Sequence, residues 1–327
     1  MWIGKENYLQ EITKLAFLLF CAGKGGITMW IGEPGKVTDR IDFLGTREIC
    51  LYLLKGKEAM IIGGGMSYIA PSLERQFSQM DFDTKNIKYL VVLHSHFDHC
   101  GAVPYLKRKF PQVQILASAY SQEVFSKEKV VNAIASFNKE AADTLGSPGE
   151  YERLNLEFDG IRVDRVVADK DIIDLGDGIE AHFIEVPGHT KCSLAVYVPK
   201  LKAMFPTDAA PFPLANGSGP AFPSPQYDFL LYLESLKKLS GYEIEICAFE
   251  HNGILLGEQA RNILPQGLEE TGKFKNYIIN QYREIGDLDK VAHKLASEIQ
   301  EKNELPFLNL ELQTTITRAA IRKILAT

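Results

Sequence analysis

The hexapeptide His94-Ser95-His96-Phe97-Asp98-His99 constrains this chain more than any other stretch, because it sets four ligand-type side chains directly after the apolar run YLVVL at residues 89–93. A continuous apolar run of five residues reads as a strand buried on both faces, so the hexapeptide occupies the turn by which the chain leaves a sheet. With seven histidines in 327 residues, three at fixed positions of one window are expected about 0.003 times by chance. Four such groups cannot all be core residues. Imidazole and carboxylate are donors that zinc, iron and manganese accept. Residues 94 and 96 lie on one side of an extended segment and Asp98 and His99 on the turn behind it, a spacing that serves two adjacent metal sites.

Three more candidates share that placement. His189 follows the strand-like run ending at Val186, Asp208 follows the run at residues 203–205, and His251 follows the run ending at Phe249. Each is a ligand-type residue on a loop leaving an apolar strand, where a rigid sheet can hold it in place. Singly, each reads as a surface histidine or a turn-forming aspartate; with the hexapeptide they read as one metal centre.

The remaining text divides the chain into three parts. Residues 1–28 form a leading tail with an apolar run at 15–22, read as an amphipathic or buried helix and far short of the ~20 residues a membrane span requires. Residues 29–257 are rich in short β-type runs, at 49–54, 59–62, 89–93, 113–117, 162–167, 178–186, 194–198, 203–205 and 244–249. Helices are expected at 71–80, 102–110, 122–145 and 227–239, and Gly63-Gly64-Gly65 reads as a tight turn. Residues 258–327 read as an all-helical cap, with Val291, Leu295 and Ile299 on one face and Ile316, Ala320 and Ile324 on another. Two β-rich parts that both carry helices predict a sheet sandwich covered by helices.

The pattern HxHxDH, followed by His, Asp and His on separate strand-end loops, resembles the metallo-β-lactamase superfamily over residues 29 to about 257. The resemblance implies an α/β fold, a four-layer αββα sandwich, here with a C-terminal helical lid. It implies that His94, His96 and His189 hold one metal, that Asp98, His99 and His251 hold a second, and that Asp208 bridges them. The cofactors would be two divalent transition-metal ions, zinc or iron, with manganese a further candidate. Between two such ions a hydroxide is the expected nucleophile, and Asp98 is the expected catalytic residue that hands a proton to the leaving group. The segments at 94–118, 166–176 and 232–239 are similar to a thioesterase branch of the superfamily. That likeness implies an acyl-thioester substrate of acyl-CoA type and a lid whose last helix lines the substrate tunnel. Phe212 and Phe222, in the Pro-, Gly- and Phe-rich loop at 209–226, and Thr317, in the last helix, are the substrate-binding candidates.

The sequence departs from the superfamily pattern at three places. Gly63 stands where an acidic residue is common, an outer partner that orients a metal-bound histidine, so its support must come from another group. Thr207-Asp208 replaces the usual Gly-Asp, and Glu250 replaces the glycine that usually precedes the last ligand.

Composition narrows the function classes. With 36 Lys and Arg against 42 Asp and Glu, the net charge is −6, which argues against a nucleic-acid backbone as partner. The single basic cluster, Lys107-Arg108-Lys109, reads as a solvated helix end. Five cysteines without CxxC spacing indicate neither a disulfide framework nor a zinc knot, and fit a reducing, cytoplasmic setting. The expected partner is therefore a small acyl substrate, with no nucleic acid or membrane, and a homodimer is compatible with the text. A lactonase or a phosphodiesterase would use the same centre. Two other classes stay open: a diiron redox protein, which in that branch carries Glu at the position of His96 and a fused flavin domain, and a metal-containing regulatory protein acting through its helical surface.

Overall fold

The computed structural model describes residues 29–302 and 304–327; the helix expected at 15–22 lies outside the described residues. The strands in chain order are β1 (Met29–Ile31), β2 (Gly35–Lys36), β3 (Ile41–Gly45), β4 (Cys50–Lys55), β5 (Ala59–Ile62), β6 (Ile87–Val91), β7 (Gln114–Ala117), β8 (Arg165–Val166), β9 (Ile172–Asp174), β10 (Glu180–Glu185), β11 (Leu194–Val198), β12 (Ala203–Phe205), β13 (Ile246–Ala248) and β14 (Ile254–Leu256). They form two seven-stranded mixed sheets. One runs β1-β14-β13-β12-β11-β10-β9 and the other β2-β3-β4-β5-β6-β7-β8.

Strand β4 shows why the sheets stack. Its side chains alternate with period 2: Cys50, Tyr52 and Leu54 enter the apolar layer between the sheets, while Leu51 and Leu53 enter the layer beneath the outer helices. Both faces are dry, so the strand reads as an unbroken apolar run. β5 repeats this, with Met60 and Ile62 inward and Ala59 and Ile61 outward. Helices α1 (Ala70–Gln79), α2 (Val103–Lys109), α3 (Ala119–Phe125), α4 (Glu128–Leu145) and the short α5 (Glu150–Arg153) follow in sequence, and residues of α1 to α4 pack on the outer face of the second sheet. Helix α6 (Phe229–Leu239) and the start of α7 (Gly257–Ile285) cover the outer face of the first. Helices, sheet, sheet, helices make the four layers of the expected αββα sandwich.

The expected helix at 122–145 is two. Ser126 ends α3 with its hydroxyl donating to the Glu123 carbonyl at 2.7 Å, and Lys127 turns extended before α4 begins. The expected strand at 162–167 shortens to the two residues of β8. The basic cluster does end α2, though its cations are paired: Lys107 with Asp164, Arg108 with Asp159 and Lys109 with Glu74.

The C-terminal residues are helical. Gly286 ends α7, and Asp287 caps α8 (Leu288–Gln300) by accepting from the amides of Asp289 and Lys290. Asn309 caps α9 (Leu310–Leu325) in the same way through Leu312. Phe274, Ile278, Val291, Leu295, Ile321 and Ile324 bury a separate apolar cluster among these helices, joined to the sandwich through Phe229 of α6. Among the described residues no helix is long and apolar enough to cross a membrane.

Candidate metal centre

β6 runs parallel to β5 and β7, and β12 parallel to β13, so the carboxyl ends of these central strands emerge on one rim. The loops after β6, β10, β12 and β13 carry His94 to His99, His189, Asp208 and His251, and they meet there. Backbone bonds tie the rim together: Leu194 donates to the Leu93 carbonyl at 2.8 Å, and Cys50 to the Glu250 carbonyl at 2.8 Å. At Gly188 (φ +140°) the loop of His189 presses on α6, where a Cβ would stand 2.3 Å from the Tyr232 backbone. Only glycine allows that approach.

All seven sequence-predicted ligands come together. One oxygen of Asp208, Oδ2, lies 3.3 Å from His99 Nε2, 3.4 Å from His189 Nε2, and 3.9 Å from both His94 Nε2 and His251 Nε2. Asp98 Oδ2 lies 3.3 Å from His99 Nε2 and 3.6 Å from His251 Nε2. His189 Nε2 faces His96 Nδ1 at 3.0 Å, and His251 Nε2 faces His99 Nε2 at 3.1 Å. Donors around a tetrahedral ion with ~2.05 Å bonds stand about 3.3 Å apart, which these separations bracket.

The rear nitrogens give a second test of fit. Metal-binding histidines are oriented by a partner on the ring nitrogen that does not touch the metal. His189 Nδ1 donates to the Ser224 carbonyl at 2.7 Å and His251 Nδ1 to the Glu48 carbonyl at 2.6 Å. His94 Nδ1 meets the Thr207 hydroxyl at 2.9 Å, and His99 Nδ1 meets Glu250 at 3.1 Å. The forward nitrogen of His94, Nε2, is buried with no partner among the described residues. Two groups able to hold an ion follow: His94, His96 and His189, and Asp98, His99 and His251. A third grouping, His94, His99 and Glu250, uses the rear nitrogens already engaged and lies behind the other two.

Charge agrees with this donor set. Burial pushes His94 well below its ordinary pKa and, with His189 beside it, brings His96 down to about 3; burial lowers His189 too. These three are the neutral imidazoles a cation needs. Burial resists the charge on Asp98, but His99 and His251 outweigh it and bring the carboxyl down to about 2. Burial also opposes the charge on the partly exposed Asp208, yet His99 and His251 hold it well below the carboxylate range. Burial opposes a proton on His99, but Asp98, Glu250 and Asp208 raise its pKa well above the ordinary value.

The centre floors a cavity of about 280 Å³. His96, Asp98, His189, Asp208 and His251 border it below. Its walls are apolar, formed by Phe97 and Phe137, by Leu295 and Ile299 of α8 and by Leu312 and Ile316 of α9. The structure places Phe212, Phe222 and Thr317 on these walls. Tyr232 of α6 also lines the cavity; its hydroxyl is buried, and burial raises its pKa so that it keeps its proton. Lys302, the single Lys or Arg among the lining residues, lies 4.6 Å from the centre of the Phe222 ring. Glu304 latches the far rim by accepting from Asn252 Nδ2 and the Ala215 amide, both at 2.7 Å.

Sequence reasoning missed Glu250, Tyr232 and Glu304 as parts of the site. Glu250 carried a signal, a carboxylate beside a ligand where the pattern has glycine; Tyr232 and Glu304 carried none, since only the fold brings them to the rim.

The family model of the metallo-beta-lactamase superfamily matches residues 50–251, and the chain belongs to that superfamily. Its members are mostly metal-dependent hydrolases and typically bind two divalent ions, usually zinc. The chain is 27% identical over 210 residues to the metallo-beta-lactamase fold-containing protein ST1585 of Sulfurisphaera tokodaii, covering 63% of this chain and 73% of that protein. It is 25% identical over 191 residues to the anaerobic nitric oxide reductase flavorubredoxin of Salmonella typhi, covering 55% of this chain but 33% of that protein. Among solved structures, the sec-alkylsulfatase Pisa1 from Pseudomonas sp. superposes with a TM-score of 0.59 at 15% identity, over 90% of this chain and 50% of that one. At that identity the likeness shows the shared fold.

Proposed function

We propose that this chain is a binuclear metal-dependent hydrolase that attacks an ester-like acyl carbon, with an acyl thioester of acyl-CoA type as substrate. The observation that supports it is the joining of an apolar cavity to a floor of histidines and aspartates. Its sequence likeness to the quinolone signal response protein, a 2-aminobenzoylacetyl-CoA thioesterase, points the same way. His94, His96 and His189 would hold one ion, Asp98, His99 and His251 the other, and Asp208 would touch both. When bound, such ions activate water and polarise a carbonyl.

The chain's own residues do the rest. The aromatic and aliphatic walls take the acyl or aryl part of the substrate out of water, by about 25 cal/mol per Å² of apolar surface, and set its carbonyl on the floor. Asp98, ionised at neutral pH, would accept a proton from the attacking water at its carboxylate and pass it to the thiolate released as the acyl C–S bond breaks. His at position 96, where the diiron redox branch carries Glu, favours hydrolysis over redox chemistry.

The test is a panel of aryl and acyl thioesters, lactones and phosphodiesters offered to the full-length protein in its zinc, iron and manganese forms, with elemental analysis of protein purified without added metal. About two transition-metal ions per chain and preferential thioester cleavage are expected. A protein that neither carries nor takes up metal defeats the reading; lactone preference at equal metal content narrows it to the other acyl substrate.

A further inference from the structure

We infer that Glu250 and Thr207 are positioning residues that fix one histidine of each ion-holding group from behind, in place of the outer carboxylate that is missing at Gly63. The inference rests on the binuclear reading above.

The geometry runs through one oxygen. Glu250 Oε2 accepts from the Thr207 hydroxyl at 2.7 Å and lies 3.1 Å from His99 Nδ1 and 3.9 Å from His94 Nδ1. A threonine hydroxyl has a single proton, and here Glu250 takes it. The Thr207 oxygen, 2.9 Å from His94 Nδ1, therefore serves His94 as an acceptor, and the His94 proton sits on Nδ1. Its Nε2 is left with a bare lone pair, buried and directed at the centre. His99 has the same arrangement without the relay: Nδ1 faces Glu250, and Nε2 faces Asp98 and Asp208. One carboxylate thus sets the ring orientation and tautomer of two prospective ligands, His94 in the first group and His99 in the second.

The three departures noted in the sequence converge on this spot. Gly63 has φ +92°, and a Cβ built on it would stand 3.0 Å from Glu250 Oε1. A side chain there and the Glu250 carboxylate contend for the same space. Thr207 takes φ +52°, a backbone region rare for a β-branched residue, so its two hydroxyl bonds hold a strained turn that glycine would adopt freely. Glu250 is 4% exposed and its Oε1 has no partner among the described residues. A buried, half-paired carboxylate is expensive unless positive charge lies close by, and a loaded centre supplies that charge.

The experiment is a chelator competition on full-length protein with Zn²⁺, paired with the visible absorption of the Co²⁺ form, for wild type, Glu250→Gln, Thr207→Val and Thr207→Ser. Glu250→Gln is expected to weaken both ions 10- to 100-fold and to shift the Co²⁺ bands. Thr207→Val is expected to weaken one ion and spare the other, since it cuts only the His94 arm, and Thr207→Ser to restore wild-type behaviour. Wild-type affinity and spectrum in a folded Glu250→Gln protein overturn the inference; if that variant does not fold, wild-type affinity for both ions in Thr207→Val does so. A wild-type protein that binds no metal defeats the binuclear reading itself, so the two failures are distinguishable.

Discussion

The rim of the sandwich and the helical wall above it are built to opposite rules. The rim is polar, and the rear nitrogens of four of its histidines are held: they meet the carbonyls of Glu48 and Ser224, the Thr207 hydroxyl and Glu250. The wall is largely apolar, set by side chains such as Leu295 and Ile299 of α8, Leu312 and Ile316 of α9, and Phe212 and Phe222 of the 209–226 loop. Chemistry needs atoms held to fractions of an ångström, which strand ends with backed-up side chains provide. Substrate choice needs only shape and dryness, which helices on their own apolar cluster can change without disturbing the rim. Under the proposed function, the difference assigns the reaction to the rim and the choice of substrate to the wall.

The strongest attempt to break that separation is Asp208→Ala. It removes the oxygen common to four histidines, and hydrolysis of the best substrate in the panel is expected to fall by at least about 10³-fold, with bound metal lost by elemental analysis and circular dichroism unchanged. Removing metal from wild type with a chelator should reproduce the loss, and adding it back should reverse it. Next comes Phe43→Ala, between the sheets and fully buried, expected to cost about 3–5 kcal/mol in denaturant unfolding. Leu295→Ala cuts the helical cluster instead; about 2–4 kcal/mol is expected, with two ions still bound. Loss of metal from Leu295→Ala would show that wall and rim are one unit. Ile316→Trp, filling the cavity, should raise KM for long acyl thioesters about 10-fold while kcat for a short one holds within about twofold. The smallest effect belongs to Glu304→Gln, which weakens the latch on Asn252 and Ala215 by about 1 kcal/mol, read as faster hydrogen exchange in the chain joining α8 to α9.

The same contrast explains what the sequence disclosed. All seven prospective ligands were legible, because histidine and aspartate after an apolar strand are rare and local. Strands β4, β5, β11 and β12 were legible for a similar reason: each is an apolar run whose ends carry turn signals. Strands β1, β2 and β9 span two or three residues, too short for any period to register, and β8 was legible only within the longer run expected at 162–167. The groups behind the ligands were illegible for another reason. Carbonyls have no residue type, so nothing marks Ser224 or Glu48 as supports. Glu250 was visible only as a departure from pattern, its purpose hidden until Gly63 and Thr207 lay beside it. Tyr232 reads in the sequence as one more residue on the buried face of an amphipathic helix.

The pairing of β1 with β14 has a consequence for how the molecule is made. The second sheet is continuous in sequence, from residue 35 to 166, and can assemble while the rest of the chain is still being synthesised. The first sheet cannot: Met29–Ile31 finds its register only against Ile254–Leu256, more than two hundred residues later. A nascent chain therefore presents the His94 to His99 turn on a finished half long before His251 exists to complete it. Until the β13–β14 hairpin and the helices after it arrive, the half-built rim is a set of unshared imidazoles and carboxylates facing solvent.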